Sequence, residues 1–116
     1  MVIKEGSLFK KGAGDGLLSR KNWKPRYFRL TDRSLEYYCT HTGQQKGCID
    51  LSQCNVDSLQ VMPPDCIKTG SSDSTMWRLA INTPSRRFFV AADSETTMHE
   101  WAFALLDVFQ ANEKQQ

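Results

Sequence analysis

The hydrophobic pattern of this chain changes its period once, at Ser94, and that change constrains the fold more than any other feature. Upstream, short segments alternate apolar and polar residues between turn signals, as strands do. Downstream, apolar residues recur at helical spacing, in a stripe made of Met98, Trp101, Ala102, Leu105, Val108 and Phe109. Asp93 or Ser94 can cap this helix. The sequence therefore predicts a mainly β chain that ends in one α-helix.

Seven segments before the helix have strand character. They are residues 5–11, 23–31, 34–39, 46–51, 55–61, 76–82 and 86–92, of which 55–61 is the weakest. A short antiparallel sheet of this kind curls into a sandwich or a partly open barrel. The helix covers one end, so the apolar residues there are not exposed to solvent. Trp101 is the largest apolar residue of the stripe, so we expect it to insert into the core.

Length and composition fit a single folded domain over residues 1–116, with a core over about 4–112. The 116 residues are 40% hydrophobic and 24% charged, which is typical of globular proteins. No apolar run approaches the roughly 20 residues of a membrane span, and the N-terminus lacks a secretory h-region. The four cysteines form no C-x-x-C pair, so we expect reduced thiols that serve in packing. These features predict a soluble cytoplasmic protein.

Charge is distributed unevenly along the chain. Residues 1–30 carry eight basic and two acidic side chains, whereas the remaining residues carry seven basic and eleven acidic ones. Because the overall net charge is only +2, the basic residues at one end stand out against an acidic remainder. This polarity predicts that an anionic partner is met by one end of the molecule.

The basic residues of the first two strands are expected to converge. Residues two apart in a strand share a face, so Lys24 and Arg26 lie on the same side as Phe28. Antiparallel pairing brings Lys10 beside them, at the end of the face that continues into the core. Such cations repel and lose hydration, and the glycines of the loop "GAGDG" leave backbone N–H groups accessible. A phosphorylated anion would neutralise these cations and accept hydrogen bonds from these N–H groups. The alternative interpretation is that the loop is an ordinary solvated hairpin tip.

The order of several motifs resembles that of the pleckstrin homology (PH) domain. They are the glycine before the first apolar strand, "WKPRYFRL", "LEYY", "KGCIDL" and a tryptophan in the last helix. The resemblance covers nearly the whole chain. It implies a seven-stranded antiparallel sandwich or partly open barrel capped by one C-terminal helix, which agrees with the interpretation of the periodicity.

The resemblance extends to the PH domains that bind products of PI 3-kinase, such as those of cytohesins, Bruton-type kinases and unconventional myosins. In that subgroup a basic residue ends the first strand and a basic-x-Arg pair opens the second, as Lys10, Lys24 and Arg26 do here. Tyr37 and Lys46 resemble a tyrosine and a basic residue that contact phosphates of the inositol ring. The implied function is recognition of PI(3,4,5)P3 or PI(3,4)P2 head groups and recruitment from the cytoplasm to the plasma membrane.

The sequence differs from this subgroup of PH domains at two places. Pro25 stands where strong binders often have a basic residue, and the long insertion that cytohesins have between their last two strands is absent. Preference among PI(3,4,5)P3, PI(3,4)P2 and PI(4,5)P2 therefore stays open. In the first loop, Arg20 and Lys21 are expected either to contact the head group or to attract the membrane surface, and Leu17 and Leu18 to dip into it.

Other interpretations of the same residues were weighed. Cys39 and His41 with Cys48 or Cys54 fit no zinc spacing, and His99 has no evident nucleophile to serve, so we expect no metal, cofactor or enzymatic activity. Trp23 and Tyr27 beside the basic strand do not make a nucleic-acid platform, because the rest of the chain is acidic. The main alternative is a protein-interaction PH domain that binds a peptide or a small GTPase and binds lipid weakly. We expect a monomer for the isolated domain.

Overall fold

The computed structural model describes residues 1–12, 23–64 and 76–114, and they form one antiparallel sheet and one helix. The sheet order is β4-β3-β2-β1-β7-β6-β5. The elements are β1 (Val2–Lys11), β2 (Trp23–Thr31), β3 (Ser34–Cys39), β4 (Gln45–Asp50), β5 (Leu59–Val61), β6 (Trp77–Asn82), β7 (Arg87–Ala92) and α1 (Glu95–Lys114). The predicted fold class, seven antiparallel strands followed by a C-terminal helix, is confirmed.

The weakest predicted strand, over residues 55–61, is wrong in its first half. Val56–Ser58 forms a single 3-10 turn, and only Leu59–Val61 pairs with β6. The Asn55 side chain accepts a hydrogen bond from the Asp57 N–H, and the Ser58 hydroxyl accepts one from the Asn55 N–H. Asparagine and serine compete in this way with strand pairing, because their side chains satisfy nearby backbone groups.

The curled sheet encloses one hydrophobic core and leaves two sheet edges. β1 pairs along its length with β2, and near its end with β7 through Phe9 opposite Ala91 and Lys10 opposite Val90. The largest fully buried side chains of the core come from four strands, from Leu51 and from the helix. They are Trp101, Phe28, Phe88, Phe109, Leu30, Leu35, Leu51, Leu79, Ile81, Met98, Leu105 and Val90. In the sheet order, β4 and β5 are the terminal strands, so the barrel is open between them.

Helix α1 closes the end of the barrel at which β1 begins. The Ser94 hydroxyl accepts a hydrogen bond from the Thr97 N–H and caps the helix. Trp101 is only 2% exposed, which confirms the prediction that it inserts into the core, and it packs edge-on against Phe28. A Cβ at Gly6 would lie 3.7 Å from the Trp101 ring, so β1 passes close beneath the indole.

The last turns of α1 are tied to the chain segment that follows β4. The Asn112 amide donates hydrogen bonds to the carbonyl oxygens of Leu51 and Cys54, at 2.8 and 3.1 Å. These two bonds satisfy carbonyls that lie outside the ladders, so they hold the helix end in place. Among the residues that the structure describes, no helix is long and apolar enough to cross a membrane.

Of the three cysteines that the structure describes, only Cys54 is buried as the expectation of a packing role requires. Cys39 is partly exposed and Cys48 is exposed, and all three are free thiols. Cys48 differs from Cys54 because it lies on the outward-facing side of the edge strand β4. Cys66 lies outside the described residues.

Candidate functional site

The register of β1 and β2 places three cations at one end of the core-facing row. Lys10 lies opposite Lys24, and Leu8 lies opposite Arg26. On the same face Leu8 and Phe28 are buried. Along this face, the side chains therefore change from buried and apolar in the core to positively charged where the two strands reach the first loop.

Lys10 is the centre of this cluster. Its ammonium lies 4.9 Å from the centroid of the Tyr37 ring and 5.0 Å from that of Phe88, and it donates a hydrogen bond to the Lys11 carbonyl. Burial lowers the pKa of Lys10 to about 8, and the positive charges of Arg86 and Arg26 add to the effect. The Lys10 amine is mostly protonated at pH 7, although desolvation and repulsion from the two arginines disfavour the charged form.

Arg86 is a residue that sequence reasoning missed as part of the site. It precedes β7, in a turn where the Thr83 N–H and hydroxyl both donate to the Arg86 carbonyl. Its guanidinium lies 4.7 Å from the Phe88 ring centroid, on the ring that Lys10 also approaches. The signal that could have found it is strand alternation, since Arg86 precedes Phe88 and Val90 at intervals of two. We call Lys10, Arg26, Arg86 and Tyr37 the cationic mouth.

Tyr37 gives the cationic mouth a fixed aromatic wall. Its ring packs against Phe28 and Phe88, with centroid distances of 5.7 and 5.9 Å. It also lies over Gly47, its partner on β4, where a Cβ would overlap the phenol. The glycine of the "KGCIDL" motif is thus required by the position of this tyrosine.

The remaining predicted site residues lie at the rim or outside the described residues. Lys24 and Lys46 are exposed, and Lys46 is the extra residue of a bulge, since Tyr37 pairs with Gly47 and Tyr38 with Gln45. The loop residues predicted to contact the head group or the membrane, which are Leu17, Leu18, Arg20 and Lys21, lie outside the described residues.

Pro25 is accommodated by the end of its neighbouring strand. It pairs with Phe9 of β1, whereas the pairing of β2 with β3 begins only at Arg26 and Cys39. The missing N–H is tolerated at such a position because one side of the strand has no neighbour there. The Arg26 guanidinium donates to the Pro25 carbonyl at 3.0 Å.

Nearby carboxylates do not neutralise the cationic mouth within the described parts of the chain. The one ion pair within 4.0 Å there joins Lys4 to Glu100, beneath the helix. Glu5 and Glu36 accept hydrogen bonds from the hydroxyls of Tyr27 and Tyr38, each at 2.6 Å. By strand alternation these four residues lie on the outer face, away from Lys10.

The chemistry available to the cationic mouth is binding of a compact polyanion. Lys10, Arg26 and Arg86 offer ammonium and guanidinium donors next to an aromatic wall, and such charge-assisted hydrogen bonds are the strong ones for phosphate. No group of three or more histidine, cysteine, aspartate or glutamate side chains within the described residues is arranged to hold a metal ion.

Comparison with known proteins gives a consistent result over most of the chain. The family model of the PH domain matches residues 2–108. Protein daughter of sevenless from Drosophila melanogaster is 31% identical over 106 residues, which is 84% of this chain and 11% of that protein. Ras GTPase-activating protein 3 from Mus musculus is 26% identical over 98% of this chain and 13% of its own length. The chain thus spans only a small part of the curated relatives that it matches.

Solved structures show the same fold. The C-terminal PH domain of human pleckstrin superposes with a TM-score of 0.72 at 26% identity, covering 93% of this chain and 87% of that one. The C-terminal PH domain of pleckstrin in complex with D-myo-Ins(1,2,3,4,5)P5 superposes with a TM-score of 0.68 at 24% identity, covering 95% and 99%.

Proposed function

The chain belongs to the PH domain family, and from that premise we propose that it binds phosphorylated inositol head groups through the cationic mouth. PH domains often bind phosphoinositides and are generally non-catalytic modules. One observation carries the proposal: the half-buried Lys10 ammonium lies beside the Tyr37 and Phe88 rings and near Arg26 and Arg86, and no carboxylate of the described residues pairs with it. Such a site is disfavoured when empty and gains most when an anion enters.

The charge of the cationic mouth suits several phosphates on one ring. Each charge-assisted hydrogen bond to phosphate contributes about 1.5–3 kcal/mol, so three or four give micromolar affinity or better. Lys10 lies on β1, Arg26 on β2 and Arg86 just before β7, so three separate segments supply cations, which suits a ring carrying adjacent phosphates. The solved pleckstrin domain that holds an inositol pentakisphosphate supports this chemistry by analogy.

We extend the proposal to the products of PI 3-kinase. Lys10, Lys24 and Arg26 would hold the 3-, 4- and 5-phosphates of PI(3,4,5)P3, or the first two of PI(3,4)P2, with the Tyr37 hydroxyl and Lys46 beside them. Arg20 and Lys21 would add attraction to the anionic membrane, and Leu17 and Leu18 would enter its surface. The module would then move from the cytoplasm to the plasma membrane when these lipids form.

The test is calorimetric titration with inositol 1,3,4,5-tetrakisphosphate, beside flotation on vesicles that carry PI(3,4,5)P3, PI(3,4)P2, PI(4,5)P2 or only phosphatidylserine. We expect Arg26→Ala and Lys10→Ala to weaken tetrakisphosphate binding by about 30-fold or more, and Arg86→Ala by about tenfold. The head-group titration separates the pocket from membrane attraction, because no bilayer is present.

Arg33→Ala is the matched control, since Arg33 is an exposed arginine in the turn between β2 and β3, at the far end of those strands. It should bind like wild type. The cationic mouth is not a head-group site if the three mouth variants bind the tetrakisphosphate as tightly as wild type and Arg33→Ala do. The same holds if vesicle binding follows only the total negative charge of the vesicle.

A second candidate function is protein binding through the outer face of α1. Phe103 is 65% exposed there and stacks on His99, with ring centroids 6.3 Å apart. Aromatic side chains, phenylalanine among them, are enriched in protein interfaces relative to the rest of the surface. Phe103→Ala would abolish capture of such a partner and leave head-group binding unchanged.

A further inference from the structure

Strand β4 has one unpaired edge, and we propose that two copies of this chain associate through it, antiparallel and centred on Cys48. β4 spans Gln45–Asp50 and ends the sheet, with β3 as its neighbour on one side. No described residue pairs with its other side. An edge strand of six residues leaves N–H and C=O groups that another strand can satisfy.

The sequence of β4 is complementary to itself in the antiparallel direction. A two-fold axis at Cys48 places Lys46 of one copy opposite Asp50 of the other, twice. Both side chains are exposed. Opposite charges directly across a pair of strands stabilise the pairing, whereas like charges destabilise it.

The inner side of the strand is complementary in size. The same axis places Gly47 opposite Ile49 of the second copy. Ile49 is partly buried against the core and Gly47 has no side chain, so the larger residue meets the smaller one twice. A shift of one residue would lose both this match and the charge match, so the pairing has one preferred register.

The bulge in β4 limits the strength of this association. Lys46 is the extra residue of the bulge, so residues 47–50 keep regular pairing with β3, and the two copies place one bulge at each end of the proposed contact. Five residues from each copy bury less area than a stable dimer needs, so we expect association with a Kd of about 100 μM or weaker. This proposal differs from the expectation from sequence, which is a monomer.

The pairing has a consequence for the proposed function, and only this consequence rests on that function. Antiparallel strands run in opposite directions, so the ends of β4 that lie near Tyr37 and Lys46 point away from each other in the pair. The two cationic mouths would then face opposite ways. One flat membrane would engage one copy of the pair at a time.

A charge swap tests the pairing. Sedimentation equilibrium of the wild-type chain up to about 1 mM should show an average mass that rises toward that of a dimer, as expected for a Kd in this range. Lys46→Asp and Asp50→Lys should each weaken association by about tenfold, because each creates two like-charge pairs. The double variant should restore it to within about threefold of wild type. Glu113→Lys, an exposed charge reversal on α1, should leave it unchanged.

Cross-linking gives an independent readout. A short bis-maleimide should join two copies through Cys48, because directly opposed residues of paired strands lie within its reach. Cys48→Ser should remove the cross-link and Cys39→Ser should keep it. A chain that stays monomeric at every concentration, or a double variant no better than the single ones, overturns the proposal. The β4 edge would then be free for an extended segment of a different protein.

Discussion

Lys4 and Lys10 lie on the same face of β1, at opposite ends of the core, and their surroundings differ in one respect. Both ammonium groups lie over aromatic rings: Lys4 at 5.3 Å from the Trp101 centroid, and Lys10 at 4.9 Å from that of Tyr37. Lys4 also has a carboxylate, Glu100 of α1, at 3.9 Å. Lys10 has two arginines instead, and its pKa is lowered to about 8 by burial and by their charges.

The difference shows what the helix contributes to this fold. At the capped end, α1 supplies both an apolar lid, through Trp101, and an acid, through Glu100. At the open end neither is supplied by any residue that the structure describes. A lysine on a strand is therefore a structural group at one end of the barrel, and the same residue type at the other end is suited to an external anion.

Trp101→Ala should break the capped end and produce the largest effect. Removing a fully buried indole costs about 3–5 kcal/mol in the free energy of unfolding, because the surrounding residues cannot close the cavity. Urea denaturation measures this loss, and Trp101→Phe should lose less. In the folded fraction, affinity for inositol 1,3,4,5-tetrakisphosphate should change little. An affinity loss in Trp101→Phe as large as that of Arg26→Ala would show that the two ends are not independent.

Two glycines, one near each end, sharpen the comparison. A Cβ at Gly47 would overlap the Tyr37 phenol, which Phe28 and Phe88 hold in place, so Gly47→Ala should cost about 1–3 kcal/mol and weaken head-group binding. A Cβ at Gly6 would make an ordinary contact at 3.7 Å with Trp101. Gly6→Ala should therefore be neutral or stabilise by up to about 1 kcal/mol, since alanine loses less entropy than glycine in a strand. Equal unfolding midpoints for the two variants would contradict this.

The outline of the fold was predictable because it follows from local periodicity. The change of period at Ser94 located the helix, and the size of Trp101 identified the side chain that fills the end of the barrel. The strand predicted over residues 55–61 failed because Asn55 and Ser58 bond to nearby backbone groups, which hydrophobic pattern does not register.

The candidate site was predictable only along β1 and β2. Alternation placed Lys10, Lys24 and Arg26 on one face, but the depth of each side chain depends on how the sheet closes, and Lys24 is exposed whereas Lys10 is half-buried. Arg86 reaches the cationic mouth from β7, which is distant in sequence. Alternation around Arg86 could place it on the same face as Phe88, but its proximity to Lys10 depends on closure of the barrel, which is non-local.

Lys24→Glu should make the open end resemble the capped one. Lys24 lies directly opposite Lys10, so a glutamate there gives Lys10 a carboxylate neighbour as Glu100 gives one to Lys4. Affinity for inositol 1,3,4,5-tetrakisphosphate should fall more than tenfold. The free energy of unfolding should stay within about 0.5 kcal/mol of that of wild type, as is usual for exposed charge pairs. Lys24→Gln removes the charge without adding an acid and should lose only about threefold. Equal losses would mean that Lys24 acts as a ligand alone.

The smallest effect concerns pH, and it should have opposite signs for binding and for stability. With a pKa of about 8 in the free protein, Lys10 is mostly charged at pH 7 and mostly neutral at pH 9, so head-group affinity should fall by up to about tenfold over that interval through this group. Its folded pKa lies below the ordinary value of 10.5, so the unfolded chain binds more protons between pH 8 and 10.5. Stability from Lys10 should therefore rise with pH in that window.

Lys10→Arg isolates this lysine, because arginine stays charged at pH 9 and any change in ionisation of the inositol phosphates acts equally on both proteins. The ratio of wild-type to variant affinity should fall between pH 7 and pH 9. For stability the comparison is made in a Cys39→Ser background, since hydrogen bonds from Thr42 lower the pKa of the Cys39 thiol to about 7 and it acts in the same direction. At the capped end, Lys4→Arg should leave the affinity ratio constant, because Lys4 lies beside Trp101 and Glu100 and away from the cationic mouth. A constant affinity ratio would mean that Lys10 is solvated like an ordinary surface lysine, and the contrast between the two ends of the barrel would disappear.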